Sequence, residues 1–307
     1  MKRSTMVSLV FISFMMWNCK KEKPSEKAAV VETPVLEKKD TVMVEEHPEL
    51  YGIYSGDFEV DYSEGSDDYE AVDHRLAYKK ISIKINRIAH DSVYGHSIVT
   101  GNQRPFVGVF NSEAKSFTLN EPGDDKTDGK FELQLRGDSL VGKWMVYDTS
   151  AVKIPKKIVR LVKRNFEYNP NLMLDKDSEL IDWDNPKEFI SKYIDPDTGM
   201  EEQFTDLQQR IASDAVFKIN ASTQKLTEKD LKNLRKLDMQ IIKNMIFARH
   251  GYSFKKYTYR QFFEHTDWYI PMYNNVDDRL SQLEKDNVIL LNRMIKYAED
   301  HYDSFGR

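Results

Sequence analysis

Between Tyr51 and Lys163 apolar and polar positions alternate with a period of two. Ile81, Ile83 and Ile85 are separated by Ser82 and Lys84, the pattern of a strand with one buried face. The same pattern predicts strands over 52–60, 92–100, 106–111, 116–121, 130–136, 139–147 and 157–163. Turn residues punctuate them at Ala89-His90-Asp91, Asn111-Ser112-Glu113, Asp128-Gly129 and Gly137-Asp138. About eight short strands at regular spacing predict a compact antiparallel barrel or sandwich. A barrel this small is expected to be filled by its own side chains, although such a fold also holds ligands in its mouth.

Beyond Phe166 the alternation loosens. Asn169-Pro170, Asn185-Pro186 and Asp195-Pro196 mark turns around a short helix expected near 187–193. Phe204, Leu207 and Ile211 share one face of a helix expected over 201–213, and Val216-Phe217-Lys218-Ile219 has the character of an isolated strand. From Thr227 the helical period is strong. Thr227 and Asp230 suit an N-cap with a returning carboxylate, as do Ser281 and Glu284. A helix opening at Asp238 runs through Ile241, Ile242 and Met245 to His250, and Gly251 supplies the left-handed residue that stops it. The expected class is therefore α+β: a β-rich domain over 49–166, a mixed connector with short helices over 167–224, and a small all-α domain over 225–307.

The N-terminus obeys neither period. Lys2 and Arg3 precede an apolar run, Met6 to Trp17, interrupted only by two serines. As a helix this run would span about 18 Å, against roughly 30 Å of bilayer hydrocarbon, so it fits a signal-peptide core rather than a membrane span. It ends beside Cys19, the one cysteine of the chain. Met16-Trp17-Asn18-Cys19 resembles the lipobox of bacterial lipoproteins, with Trp17 and Asn18 where small residues are usual. The resemblance implies a signal peptide over 1–18 and acylation of Cys19, palmitate included. It also implies a lipid-anchored cell-envelope location, most naturally the outer membrane, on its periplasmic or surface face. Paired acyl chains hold a protein to a membrane where a single one does not. Residues 19–48 are rich in Lys, Glu and Pro and read as a flexible tether.

Two further resemblances concern the folded part. Tyr51-Gly52-Ile53-Tyr54-Ser55-Gly56 and Gly142-Lys143-Trp144 loosely resemble the calyx-like barrels of the lipocalin and avidin groups, without carrying any ligand residue across. Asn244, Ala248, Arg249, His250 and Gly251, with Phe247 in place of Tyr, strongly resemble the pentapeptide of the YARHG domain. Trp268-Tyr269-Ile270-Pro271 and the run from Leu280 to Asn287 continue that resemblance. It implies an exported module, placed outside the cell or in the periplasm, and brings no catalytic residue with it. Arg249 and His250 then have two readings. As structural groups they meet the negative end of a helix, Arg249 bonding a carboxylate such as Glu264 or Asp267 and His250 a buried carbonyl. As ligand-binding groups they join Tyr252, Trp268 and Tyr269, with Lys255, Lys256 and Arg260 nearby, in a surface for sugar rings or peptide stems.

Composition narrows the functions. The net charge is -5 with both signs interspersed, which disfavours nucleic acid as a partner. A single cysteine excludes an internal disulfide and a multi-cysteine zinc site. Gly95-His96-Ser97-Ile98-Val99 lacks the last glycine of a nucleophile elbow, and no zinc-binding His-Glu-x-x-His run or phosphate-cradling glycine loop occurs. The acidic stretches at 61–73, 121–129 and 195–199 do not carry calcium-loop ligands in register. No cofactor or metal is expected. The expected function is a non-catalytic envelope binding or scaffolding module contacting cell-wall glycan (peptidoglycan) or an envelope protein. The alternative is a carrier of a small apolar ligand in the β domain, and an unrecognised hydrolase ranks last. An apolar cavity of several hundred Å³ in the barrel would favour the carrier.

Overall fold

The computed structural model describes residues 45–63 and 73–302. The expected signal peptide, Cys19, most of the expected tether, much of the acidic stretch 61–73 and the last five residues lie outside them.

The alternating segments form eight antiparallel strands that close into a barrel. These are β1 (Gly52–Val60), β2 (Tyr78–Ala89), β3 (Ser92–Val99), β4 (Asn102–Asn111), β5 (Ser116–Asn120), β6 (Gly129–Arg136), β7 (Ser139–Val146) and β8 (Lys156–Arg164). Each pairs with the next, and β8 returns to β1 with Phe58 opposite Val159. Ile81, Ile83 and Ile85 point inward and are buried, as the alternation requires.

One end of the barrel is packed shut. Phe110 stacks on Phe117 at 4.5 Å between ring centres, above Ile88, Val93, Leu140 and Leu161. Each such side chain, fully buried, contributes about 1.5–3 kcal/mol. Gly95 makes this packing feasible, because a Cβ there would lie 2.6 Å from the Phe106 ring. A 3-10 turn, Pro48–Leu50, covers this end and buries Leu50. The Glu46 amide donates to the Ile88 carbonyl at 2.9 Å and the Tyr51 hydroxyl to the Glu46 carbonyl at 2.9 Å. Residues 45–48, expected to belong to the tether, are thus part of the barrel cap.

The connector departs from expectation. Residues 187–193 and 201–213 are not helices: 187–193 and 201–211 belong to a hairpin of β9 (Ile181–Ile194) and β10 (Glu201–Ile211). The spacing of Phe204, Leu207 and Ile211 fits a helix face, but the turn between the strands decides the pairing. The Asp195 carboxylate accepts from the amides of Asp197 (2.8 Å) and Thr198 (2.9 Å), and Gly199 takes φ 70°. That closes a hairpin with Ile190 opposite Thr205 and Tyr193 opposite Glu202. Its root is fixed by a buried Asp182–Arg210 pair, while Phe189, Ile190, Phe204 and Leu207 are exposed along its length. The expected strand at 216–219 is likewise absent; Asp214–Phe217 is a 3-10 turn capped by Ser213, with Val216 buried.

The C-terminal part is helical as expected, with α2 (Glu228–Leu231), α3 (Lys236–Arg249), α4 (Tyr257–Arg260) and α5 (Gln282–His301), preceded by the short α1 (His74–Ala77) beside the barrel. Leu231, Ile246, Phe263 and Leu291 form the centre of its core. The Thr227 amide donates to Asp230 at 2.8 Å and the Ser281 amide to Glu284 at 2.9 Å, so both predicted caps form. α3 starts two residues before Asp238, whose buried carboxylate accepts from the Arg235 amide (2.9 Å) and the Ser213 hydroxyl (2.9 Å). Gly251 stops it at φ 76°.

The helical part packs beside the open end of the barrel. Lys80 Nζ donates to the Thr266 carbonyl at 2.6 Å, and the Gly101 amide donates to Ser253 Oγ at 2.8 Å. Tyr78 stacks on His265 at 4.5 Å, and Arg260 donates to the Arg75 carbonyl of α1 at 3.1 Å.

Candidate functional site

The barrel is not filled throughout, contrary to the expectation for so small a fold. At the end opposite the Pro48–Leu50 cap, a cavity of about 370 Å³ opens among Phe58, Ile81, Val99, Phe131, Trp144 and Ile154. The reason lies in the inward-facing positions of the last turn of each strand. There the alternation that places Ile83, Phe106, Leu119 and Leu161 in the core continues into Lys79, Arg104, Glu121 and Lys157, which line the cavity. Long charged side chains do not interdigitate as a dry aliphatic layer does, so the packing stops at the mouth.

Lys126 and Lys153 also border the cavity and are exposed; the other charged groups fall into two sets. Glu121 is buried and accepts from Ser97 Oγ at 2.9 Å, the Gly129 amide at 2.8 Å and Trp144 Nε1 at 3.3 Å. Burial still pushes its carboxyl above the ordinary range. Arg104 is held by Asp128, by Asp125 at 3.3 Å and by the Thr127 hydroxyl at 2.7 Å. Asp128 also accepts from the amides of Gly123 and Asp125, so this acidic loop closes on itself and on Arg104.

Lys157 and Lys79 differ. Lys157 is 5% exposed. Its ammonium donates to the Leu76 carbonyl at 3.0 Å and lies 5.1 Å above the Phe58 ring. Lys79 stands opposite Phe58 in the β1–β2 register. Among the described residues neither ammonium has a carboxylate within ion-pair distance. Burial first, then the neighbouring Lys79, draws the Lys157 pKa down to about 7. Burial and Arg260 lower that of Lys79. Glu264 attracts both from further away, but its carboxylate is committed to Arg260 Nε at 2.7 Å and to the Lys80 amide at 3.3 Å.

The residues singled out in the helical part are mostly interior. Arg249 is 2% exposed and bonds neither Glu264 nor Asp267. Its guanidinium donates to the Leu172 carbonyl (2.6 Å) and Ser222 Oγ (3.0 Å), and reaches the sulfurs of Met173 (3.1 Å) and Met245 (3.0 Å). Burial draws its pKa down to about 10, so it stays charged at neutral pH. His250 meets a carboxylate rather than a carbonyl: its Nε2 lies 3.0 Å from Glu284 Oε2, and its ring stacks on Tyr168 at 4.2 Å. Burial alone would raise the Glu284 pKa. Hydrogen bonds from His250, Ser222 and the Ser281 amide, with the charge of His250, outweigh it and hold the carboxyl at about 2. Tyr269 is buried with its hydroxyl on the Tyr252 carbonyl at 2.8 Å, and half-buried Trp268 donates to the Met173 carbonyl at 2.9 Å.

Of these residues Tyr252 lines a groove of about 540 Å³, which it shares with Lys243, Phe247, Lys255, Lys256 and Tyr259. Arg249, His250, Trp268 and Tyr269 do not line it. Lys79 and Lys157 were missed by sequence reasoning, although charge at an inward position of a regular strand was a usable signal. Among the described residues no cluster of three His, Cys, Asp or Glu side chains is arranged to hold a metal. Residues 215–295 match the YARHG domain family. No curated protein and no solved structure matches the chain.

Proposed function

From a chain whose residues 215–295 carry a YARHG domain, we propose a non-catalytic binding module of the bacterial cell envelope, anchored through acylated Cys19. Its receptor is the mouth of the barrel. The observation that carries this reading is the cavity of about 370 Å³, walled by Phe58, Phe131 and Trp144. That volume lies within the range of small-molecule sites, which combine apolar walls with a few polar groups. A purely scaffolding barrel gains nothing from leaving Lys157 buried beside open space, because a buried cation with no carboxylate near it among the described residues opposes folding. The YARHG match supports an extracellular or periplasmic setting, and the short apolar leader ending at Cys19 supports the anchor.

The test uses the unlipidated Cys19→Ala chain, incubated with solvent extract of bacterial envelopes and examined by native mass spectrometry. A non-covalent small-molecule adduct is expected; recovery of the bare chain alone contradicts the receptor reading. Radiolabelled palmitate entering the wild-type chain and not Cys19→Ala tests the anchor separately.

The groove in the helical domain favours a second, additional contact. Tyr252 and Tyr259 flank Lys255 and Lys256 there, a combination suited to sugar rings and acidic peptide stems. Co-sedimentation with purified peptidoglycan that is lost in Tyr252→Ala supports it, and unchanged co-sedimentation removes it.

A further inference from the structure

The chemistry of the mouth specifies more than size. Glu121, the buried carboxylate of the cavity wall, already accepts three hydrogen bonds from its own chain. Arg104, on the same side, is matched by Asp125 and Asp128. Neither needs a ligand, and a cationic ligand would find no unmatched acid among them. Across the cavity the balance is reversed. Phe58 lies between β2 and β8, opposite Lys79 on one side and Val159 on the other. Lys157 comes over its ring from the next inward position of β8. Two ammonium groups thus share one wall, beside an aromatic surface, and among the described residues only the Leu76 carbonyl accepts from one of them.

We infer that the barrel mouth binds an amphipathic organic anion, its acidic head between Lys79 and Lys157 and its apolar body against Phe58, Phe131 and Trp144. This rests on the mouth being the receptor proposed above. The head group supplies the negative charge that no described residue places beside these two lysines. The other charges packed near them do not substitute: Glu264 is bound to Arg260, and Glu59 is paired with Arg160 at the outer surface. An ionised head also relieves the repulsion between Lys79 and Lys157, and does so in surroundings where a charge-assisted hydrogen bond is at its strongest. The body needs no specific partner beyond shape, since the aromatic wall is non-directional.

Isothermal titration calorimetry of the Cys19→Ala chain with decanoate, decanol and decylammonium at neutral pH tests this. Decanoate is expected to bind about tenfold or more tighter than decanol, the difference that one well-formed charged hydrogen-bond pair supplies, and decylammonium weakest. In the Lys79→Met/Lys157→Met double variant decanoate and decanol should bind alike. Neither lysine meets a carboxylate among the described residues, so their replacement breaks no ion pair there; circular dichroism and the unfolding midpoint of that variant verify the fold. Equal affinity of decanoate and decanol in the parent chain overturns the anion inference and leaves the receptor reading standing. A preference for decanoate that survives in the double variant overturns the assignment to these lysines. Binding of none of the three overturns both.

Discussion

Two buried cations divide this molecule. Arg249, in the helical domain, is wrapped by its own chain: a carbonyl, a hydroxyl and two thioether sulfurs occupy the guanidinium. Lys157, in the barrel, is likewise removed from water, yet among the described residues it has one carbonyl acceptor and then open space. Burial by itself therefore does not mark a functional site. The distinction is whether the donors end on the protein or on a cavity. A charge completed by its own chain works for the fold, since a buried polar group is costly unless satisfied. A charge left short of acceptors beside a cavity weakens the fold, and binding is what it offers in return.

The comparison can be broken most severely at Arg249. Arg249→Met strips the Leu172 carbonyl and the Ser222 hydroxyl of a buried donor. It should cost more than ~3 kcal/mol, lowering the thermal midpoint by roughly 10 °C. Retention of the wild-type midpoint would remove the structural assignment. Acid titration probes the adjoining pair. Glu284 is held at about 2, below its ordinary 4.5. The stability it contributes is full above about pH 4.5 and is lost as pH falls toward 2. The loss should be on the order of 3 kcal/mol and should vanish in Glu284→Gln, measured by urea unfolding across that range.

The opposite sign is expected in the barrel. Lys157→Met should raise stability by ~1–3 kcal/mol at neutral pH, because an apolar chain of similar length replaces a buried cation that meets no carboxylate among the described residues, which outweighs the loss of its bond to the Leu76 carbonyl. With its pKa lowered to about 7 from 10.5, the penalty is full below pH 7. It is relieved as pH rises toward 10.5, so the advantage of the variant should shrink over that interval in the same assay. A destabilised Lys157→Met would place Lys157 with Arg249 as a structural group. The smallest effect belongs to Trp144→Phe, which removes one of the donors to Glu121. A loss of ~1 kcal/mol, read as a lower midpoint in thermal unfolding, is expected, and no loss would mean that this bond is idle.

The barrel was legible because its strands have one dry face, which imposes a period of two that any reader of Ile81, Ile83 and Ile85 can follow. The cavity was not, because Lys79 and Lys157 look from sequence like ordinary polar strand ends. Only closure of the sheet shows that they share a wall with Phe58. The hairpin at 181–211 was misread because its apolar residues face solvent and so obey no burial period; the turn at Asp195–Gly199 carried the information instead. In the helical domain the motif itself was plain and its caps were predictable from Thr227 and Ser281. The burial of Arg249 and Tyr269 was not, since their partners include the backbone carbonyls of Leu172 and Tyr252, which no side-chain pattern announces.

The most direct measurement follows the titration of the Lys157 Cε resonance by NMR with and without decanoate. An acidic head seated between Lys79 and Lys157 requires a Lys157 pKa of about 7 in the free chain and a clear rise toward the ordinary lysine range on saturation. A titration midpoint already in the ordinary lysine range in the free chain, or one that decanoate leaves in place, would contradict it.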